Sequence, residues 1–396
     1  MRRLTCLDGL RGLLALYVML SHTLPFAAVP RWVSSPFSHG EAAVDAFFIL
    51  SGLVIVQSLG GYRYQRAPFL IARIARIYPV FLIVFAAAIL VQPLPIPTMP
   101  WIAPDSQARF IWSDGWPHNW PLGIASHLTM THGLFPDGVA PHAWVSFLGA
   151  AWSLSSEWQF YLLAALIAER ASRGGNALLR LAWLLLALAA LSLVWSATAP
   201  DAWQFSRAFL PNKAQYFALG IASAALVRQE RAAHAGYLAI LFIACAVSLV
   251  QGGAGKLAAP LVWTCCLAAQ LQPDRRSLAW LATALSSRAA LWLGAVSYCL
   301  YLVNEPLQKL LGLGTTALAQ GDATVFDVLW LPAATLLPLL AAWWLHQVIE
   351  TPAQRPGRDM ARALAGRRSE ERSGYPCPVA EGGDNSSTRS GVIRQQ

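Results

Sequence analysis

The stretch LDGLRGLLALYVMLSHTLP, from Leu7 to Pro25, decides the class of this chain. With its flanks it is long and apolar enough to cross a bilayer. It nevertheless carries Asp8, Arg11 and His22. Ionisable groups are costly inside a membrane and commonly serve a function there. We therefore predict that this segment is both a membrane span and part of a functional site.

Arg11 and His22 are eleven positions apart. On a helix, that spacing returns to within roughly 20° of the same direction and rises about 16 Å, so both side chains share one face. A cation at one level and a proton-transfer group deeper in the membrane suit a long ligand with an anionic head and a reactive tail, such as acyl-coenzyme A. The alternative is that Arg11 anchors the helix at the headgroups and His22 is a satisfied interior histidine.

The composition is that of a polytopic membrane protein. Hydrophobic residues make up 56% of the chain, charged residues only 12%, and Trp occurs at 17 positions. The net charge of +9 comes mainly from basic residues in short loops, as positive-inside topology requires. No basic stripe with interleaved aromatic residues is present, so we expect no nucleic-acid partner.

Apolar runs of about twenty residues predict an all-α protein with about ten transmembrane helices. Arg and Lys are concentrated in alternate loops, which predicts that both termini are cytoplasmic and agrees with an even number of crossings. We expect a multi-pass protein of the cell inner (plasma) membrane. The predicted spans are residues 7–28, 41–59, 68–92, 143–168, 177–197, 206–227, 234–250, 256–272, 289–312 and 325–349.

The composition changes sharply after Thr351. Residues 1–354 are predicted to form the transmembrane domain, and residues 355–396, rich in Arg, Ser, Gly and Glu, a polar, disordered cytoplasmic tail. The six cysteines lack metal-ligand spacing, and the chain has no HExxH zinc motif, Gly-rich phosphate loop or GxSxG nucleophile elbow. We therefore expect no metal site and no permanently bound cofactor.

The second span begins HGEAAVDAFFILSGL and places Glu41 and Asp45 one helical turn apart. Two carboxylates on one face can orient a histidine or bind a hydroxylated substrate. Alternatively, Glu41 is favoured by the helix dipole and Asp45 forms an ion pair within the bundle. Ser51 and Gly52 are typical of a close contact between helices.

The third span, RAPFLIARIARIYP, places Arg73 and Arg76 on adjacent parts of one helical surface. Guanidinium groups suit phosphates, so this pair could hold a nucleotide-like head group or simply anchor the helix at lipid headgroups.

Three later segments carry further polar residues. Glu157, in AWSLSSEWQFYLL, should face a cavity or pair with an arginine. Asn304 and Glu305 in SYCLYLVNEPL, and Glu350 in VIETP, are interpreted as mainly architectural.

The chain resembles the acyltransferase family 3 integral membrane proteins, which acylate sugars and other extracytoplasmic acceptors. The resemblance spans roughly residues 4 to 355. It is carried by six segments in the same order, namely LDGLRGLLALYVMLSH, AAVDAFFILSGLVI, RIARIYP, WSLSSEWQFYLL, SYCLYLVNEP and VIETP. It implies a ten-helix bundle that takes an acyl group, usually acetyl, from cytoplasmic acyl-CoA and delivers it to a hydroxyl on the far side.

The resemblance also implies roles for individual residues. His22 is the candidate catalytic residue, and Arg11 belongs to the same motif. Arg73 and Arg76 match the paired arginines implicated in handling the acyl donor. Arg11 would help them to bind this donor. The matching acidic positions are Asp45 and Glu157. One departure is Asn304, where many members have a histidine; asparagine cannot shuttle a proton near neutral pH.

We therefore predict a membrane-bound O-acyltransferase. Its expected donor substrate is acyl-CoA, in the simplest case acetyl-CoA. The other expected partners are a carbohydrate or glycolipid acceptor and membrane lipids. A multipass transporter or flippase for an envelope precursor, in which the same buried charges form a proton relay, is the alternative from another class. A scaffold of an envelope-assembly complex that has lost its activity is a third interpretation.

Overall fold

The computed structural model describes residues 4–102, 111–112, 115–171, 177–228 and 233–373. Within these ranges the chain is helical and contains no β-strand beyond one isolated bridge between Pro136 and Phe205. The predicted all-α class is confirmed. The α-helices of the described ranges, numbered in chain order, are α1 (Thr5–Thr23), α2 (Arg31–Ser34), α3 (Gly40–Gly61), α4 (Arg66–Val91), α5 (Trp120–Leu128), α6 (Trp152–Ala171), α7 (Ala177–Thr198), α8 (Ala214–Val227), α9 (Ala233–Gly252), α10 (Ala258–Leu271), α11 (Ala279–Leu285), α12 (Arg288–Ala319), α13 (Ala323–Leu345) and α14 (Thr351–Ser373).

The described part of the chain contains six segments that are long and apolar enough to cross a membrane, which supports a multi-pass membrane protein. Helices α1, α6 and α12 fall outside this set, because polar residues such as Arg11, Glu157 and Lys309 lower their apolarity. A total of ten crossings and cytoplasmic termini stay predictions. The six segments are Arg31–Gly61, Arg66–Val91, Ala177–Thr198, Ala233–Gly252, Ala254–Leu271 and Ala323–Gly366.

Helices α1 and α12 pack backbone to backbone. A Cβ atom at Gly12 would overlap the backbone of Leu293 and Gly294, and one at Gly294 would overlap the carbonyl of Asp8. Small residues allow such an approach between membrane helices. The contact places the His22 end of α1 beside the middle of α12.

Helices α3 and α8 approach one another in the same way. A Cβ atom at Gly52 would overlap the carbonyl oxygen of Phe217, and one at Gly220 would overlap that of Ile49. The helix contact predicted at Ser51 and Gly52 is confirmed.

Two helices begin later than the predicted spans. Helix α6 starts at Trp152, because the preceding segment contains Phe147 with φ of 62°, outside the right-handed helical region. Helix α8 starts at Ala214, after a 3₁₀ turn, Leu210–Lys213, that contains a proline. Both preceding segments run past the candidate site and contribute side chains to it.

The structure also differs from the predicted tail, because α14 makes residues 355–373 helical. Gly357, Ala361 and Ala365 are buried where α14 packs against α4. Since this buried stripe consists of very small residues, a search for apolar runs does not detect the helix. The remainder of the predicted tail, residues 374–396, lies outside the described residues.

Candidate functional site

A small cavity of about 120 Å³ brings together the arginines that the sequence singled out. Arg11 of α1 and Arg73 and Arg76 of α4 line it, and Glu157 of α6 lines it as well. The predicted donor-binding residues and one predicted acidic residue therefore share one site, although three different helices carry them.

Glu350 fixes the position of Arg76. Nη1 of Arg76 lies 3.3 Å from Oε1 of Glu350, whose side chain is 2% exposed. Gln354 donates to the same oxygen at 2.9 Å, while Sγ of Cys299 and Nδ1 of His346 lie 3.2 and 2.8 Å from Oε2. A π-helical turn at His346–Glu350, between α13 and α14, sets this carboxylate against α4. A residue interpreted as architectural thus holds a site arginine.

The ligand-forming atoms of Cys299, His346 and Glu350 also lie within 4.8 Å of one another. Both oxygens of the carboxylate are already hydrogen-bonded, however, and Arg76 places a positive charge against it. The arrangement fits the centre of an ion-pair network better than a cation site.

The other two arginines are held by neutral groups. Arg73 donates through Nη2 to Oγ of Ser58 at 2.7 Å, and its guanidinium lies 5.7 Å from the ring centroids of Phe69 and Tyr161. Among the residues that the structure describes, its buried Nε has no hydrogen-bond partner. Arg11 donates through Nε and Nη2 to the carbonyl oxygen of Gly294, at 3.1 and 2.6 Å.

Glu157 lies in the wall of the same cavity. Its Oε1 accepts two hydrogen bonds, one from Oγ of Ser51 and one from the hydroxyl of Tyr161, the latter at 2.5 Å. The sequence predicted a carboxylate facing a cavity or a cation, and the structure places it at the cavity.

A second, larger cavity of about 830 Å³ contains the other half of the predicted site. His22 is only partly buried and lines this cavity together with Glu305. Trp144 and Arg207 come from the segments that precede α6 and α8, and the guanidinium of Arg207 lies 5.3 Å from the ring centroid of Trp144. The hydroxyl groups that line the cavity belong to Ser21, Ser34, Ser35, Ser38 and Tyr301.

Val44 and Tyr301 line both cavities. They form a common wall between the side with the arginines and the side with His22. The hydroxyl of Tyr301 lies 2.9 Å from Oγ of Ser153, which lines the smaller cavity. A ligand that binds the arginines and reaches His22 must therefore pass this wall.

Two residues interpreted as architectural contact the His22 side of the site. Nδ1 of His22 lies 3.3 Å from Oδ1 of Asn304, which is completely buried. Glu305 accepts hydrogen bonds from the backbone nitrogens of Gly149 and Ala150 at 3.0 and 2.8 Å. The signal for Asn304 was the family resemblance, because many members have a histidine at this position.

Asp45 is placed next to lysines rather than to His22. Nζ of Lys213 lies 2.6 Å from Asp45 and 2.7 Å from Glu41, and Nζ of Lys256 lies 3.5 and 2.5 Å from the same two carboxylates. Arg207 also pairs with Glu41, at 3.2 Å. Asp45 lines neither of the two cavities described above and is fully buried. The cluster matches the alternative of ion pairing within the bundle.

Comparison with known proteins decides the family. The sequence matches the family profile described as "Acyltransferase domain" over residues 4–347. The chain belongs to the acyltransferase 3 family. It is also similar to "Protein 2 in picA locus" of Rhizobium radiobacter, with 36% identity over 88 residues, which cover 21% of this chain and 43% of that protein. The match thus spans less than half of that relative. No solved structure matches the chain.

This acyltransferase also contains a buried histidine pair outside both cavities, in the connection between α4 and α6. The rings of His127 and His132 stack with centroids 4.0 Å apart, and both side chains are fully buried. Burial and the neighbouring His132 hold the pKa of His127 well below its ordinary value, and burial lowers the pKa of His132 to about 4. Both rings are therefore neutral at physiological pH.

Proposed function

We propose that this protein is a membrane-bound O-acyltransferase of the inner membrane. It moves an acyl group, acetyl in the simplest case, from cytoplasmic acyl-CoA to a hydroxyl of a cell-surface or exported carbohydrate. Membership of an acyltransferase family supplies the reaction class. The observation that carries the proposal is the pair of cavities with a common wall, one lined by three arginines and the other by His22.

The donor binds on the arginine side. Arg11, Arg73 and Arg76 offer guanidinium donors to the phosphates of acyl-CoA, and planar guanidinium groups recognise phosphate through paired hydrogen bonds. The cavity volume is only about 120 Å³, against about 830 Å³ for the second cavity. The nucleotide therefore stays at the mouth, and the acyl-thioester end enters.

The acceptor binds in the larger cavity. Trp144 and Trp152 offer apolar ring faces, and the serine hydroxyls offer hydrogen-bond partners. This combination suits a sugar, whose ring faces are apolar and whose edges carry hydroxyls. A soluble carbohydrate and a glycolipid both meet these requirements.

His22 acts at the wall between the two ligands. In direct transfer it takes the proton of the acceptor hydroxyl while the hydroxyl oxygen attacks the thioester carbonyl, and it returns the proton to the departing sulfur. In the two-step route the ring first carries the acyl group as an acyl-imidazole. Both routes give an ester and free coenzyme A.

Acyl transfer in isolated membranes tests the proposal. Membranes containing wild-type protein, His22→Ala or the control His234→Ala, which replaces an exposed histidine of α9, are given radiolabelled acetyl-CoA and extracted envelope glycans. We expect label on glycan with the wild type and the control only. Equal labelling with His22→Ala would contradict the assignment. Movement of unmodified glycan without any labelling would favour a transporter instead.

A further inference from the structure

We propose that Asn304 is a positioning residue, which holds the neutral His22 ring with its hydrogen on Nδ1 and so leaves Nε2 as the reactive nitrogen. This inference rests on the proposed function, in which His22 acts on the acyl transfer. It gives a chemical task to an asparagine that stands where many family members have a histidine.

The side-chain amide of Asn304 has one favourable orientation. Its Nδ2 donates to the carbonyl oxygens of Leu300 at 3.0 Å and Tyr301 at 2.7 Å, which uses both of its hydrogens. Turning the amide over would set Oδ1 against these two carbonyl oxygens. The side chain is completely buried, where such unpaired and repulsive contacts are costly. Oδ1 therefore faces His22.

The orientation of the amide decides the tautomer of His22. Nδ1 of His22 lies 3.3 Å from Oδ1 of Asn304. Because a carboxamide oxygen can only accept a hydrogen bond, Nδ1 must donate. A neutral imidazole has a single N–H, so the lone pair lies on Nε2.

Burial separates the roles of the two residues. His22 is partly exposed to the larger cavity, whereas Asn304 is fully buried behind it. The acceptor can therefore touch His22 but not Asn304, which acts through the histidine. Among the described residues, the other ionisable groups that line this cavity are Glu41, His142, Arg207, Tyr301 and Glu305.

An asparagine is sufficient at position 304 because His22 passes the proton of the acceptor on to the leaving thiolate. The acceptor oxygen forms a bond to the thioester carbon as its proton moves to Nε2; the carbon–sulfur bond then breaks, and the thiolate takes that proton from Nε2. No proton leaves the site, so residue 304 need not relay one. While the ring is an imidazolium, its Nδ1–H bond to Oδ1 of Asn304 becomes charge-assisted and stronger. If the route passes through an acyl-imidazole, the acyl group is likewise carried on Nε2.

The tautomer can be read directly by NMR. Protein with ¹⁵N-labelled histidine rings, reconstituted in bilayers at pH 8, gives separate ring signals for protonated and unprotonated nitrogens, and the spectrum of His22→Ala identifies those of His22. We expect hydrogen on Nδ1 in the wild type and loss of this preference in Asn304→Leu. A wild-type ring with hydrogen on Nε2, or an unchanged tautomer in Asn304→Leu, would overturn the proposal. This readout does not depend on finding the acceptor, so it is separate from the test of acyl transfer.

Kinetics provide the second measurement, with Gln308→Leu as the matched control. Gln308 is fully buried one turn further along α12 and donates to Oγ1 of Thr23 at 2.8 Å, so its loss removes a comparable contact between α1 and α12 without touching His22. We expect Asn304→Leu to lower kcat by about 10- to 100-fold with little change in KM for acetyl-CoA. We expect Gln308→Leu to keep the wild-type tautomer. Equal kcat losses and equal spectra in the two variants would show that Asn304 is merely structural.

Discussion

Nη1 of Arg76 and Oε1 of Glu350 lie 3.3 Å apart, although the two residues are 274 positions apart in the sequence. The contact joins α4 to the π-helical turn after α13 and places the guanidinium in the wall of the smaller cavity. Because the carboxylate is almost completely buried, it offers Arg76 a fixed partner. The proposed donor site is thus assembled from distant parts of the chain.

The variant Glu350→Gln should weaken donor binding. Glutamine keeps the shape of the side chain but removes the charge that holds Arg76. We expect KM for acetyl-CoA to rise about tenfold, equivalent to roughly 1.4 kcal/mol, with a smaller change in kcat. Initial rates in membranes measure both constants. The control is Asp359→Asn on α14, where the carboxylate is 73% exposed. An unchanged KM in Glu350→Gln would contradict this account of Arg76.

Replacing the arginines themselves should affect the donor more strongly. For Arg73→Ala and Arg76→Ala we expect KM for acetyl-CoA to rise by about 10- to 100-fold, because each substitution removes a charge-assisted hydrogen bond to a phosphate group of the donor. Lysine at either position should recover only part of the loss, since it lacks the planar fork. Arg288→Ala, at the exposed start of α12, is the control. If the alanine variants had the wild-type KM for acetyl-CoA, the phosphates would bind elsewhere.

The sequence selected the candidate residues of the site but not the residues that contact them. Helical periodicity and the cost of buried charge were enough to select Arg11, His22, Arg73 and Arg76, because those arguments are local. The partners are distant, and local patterns carry no information about them. Lys213 contacts Asp45 across 168 positions.

The contacts of Asn304 and Glu350 were not predicted, and both for the same physical reason. Asn304 and Glu350 were interpreted as mainly architectural, because the sequence does not show that helix packing brings them to His22 and Arg76. Helix α14 was missed for a different reason, since its buried face is made of Gly and Ala. The family resemblance did mark Asn304 as unusual, but could not show what the residue contacts.

The contact between α3 and α8 should tolerate no side chain at Gly52. In Gly52→Ala the new methyl group meets the backbone of α8, which cannot move aside as a flexible side chain can. We expect a destabilisation of about 1–3 kcal/mol and a lower melting temperature in detergent. Gly61→Ala, at the end of the same helix and with no atom within 4 Å of the new methyl group, should melt like the wild type. Equal melting temperatures in the two variants would argue against the close approach of these helices.

The histidine pair should make the protein sensitive to acid. The folded state holds the pKa of His132 at about 4, below the ordinary 6.5, so the unfolded state binds a proton first as the pH falls. The free energy of unfolding is therefore unaffected by His132 above about pH 6.5. Protonation of this residue in the unfolded state lowers it by about 3 kcal/mol as the pH falls to 4. Melting temperatures between pH 7.5 and 4.5 measure the effect.

The variant His132→Gln should flatten this pH dependence, because glutamine does not titrate. The control is His118→Gln, which replaces an exposed histidine in the same connection and should keep the wild-type slope. A wild-type slope in His132→Gln would mean that other groups cause the acid sensitivity.

Transfer across a sealed membrane tests the central claim most directly, namely that the arginine cavity and the His22 cavity take two substrates from opposite sides. Proteoliposomes of known protein orientation would receive radiolabelled acetyl-CoA outside and carry the glycan acceptor trapped inside. We expect label on the trapped glycan when Arg73 and Arg76 face outward, and none with His22→Ala. Labelling only when both substrates are on the same side, or equal labelling with His22→Ala, would contradict the account.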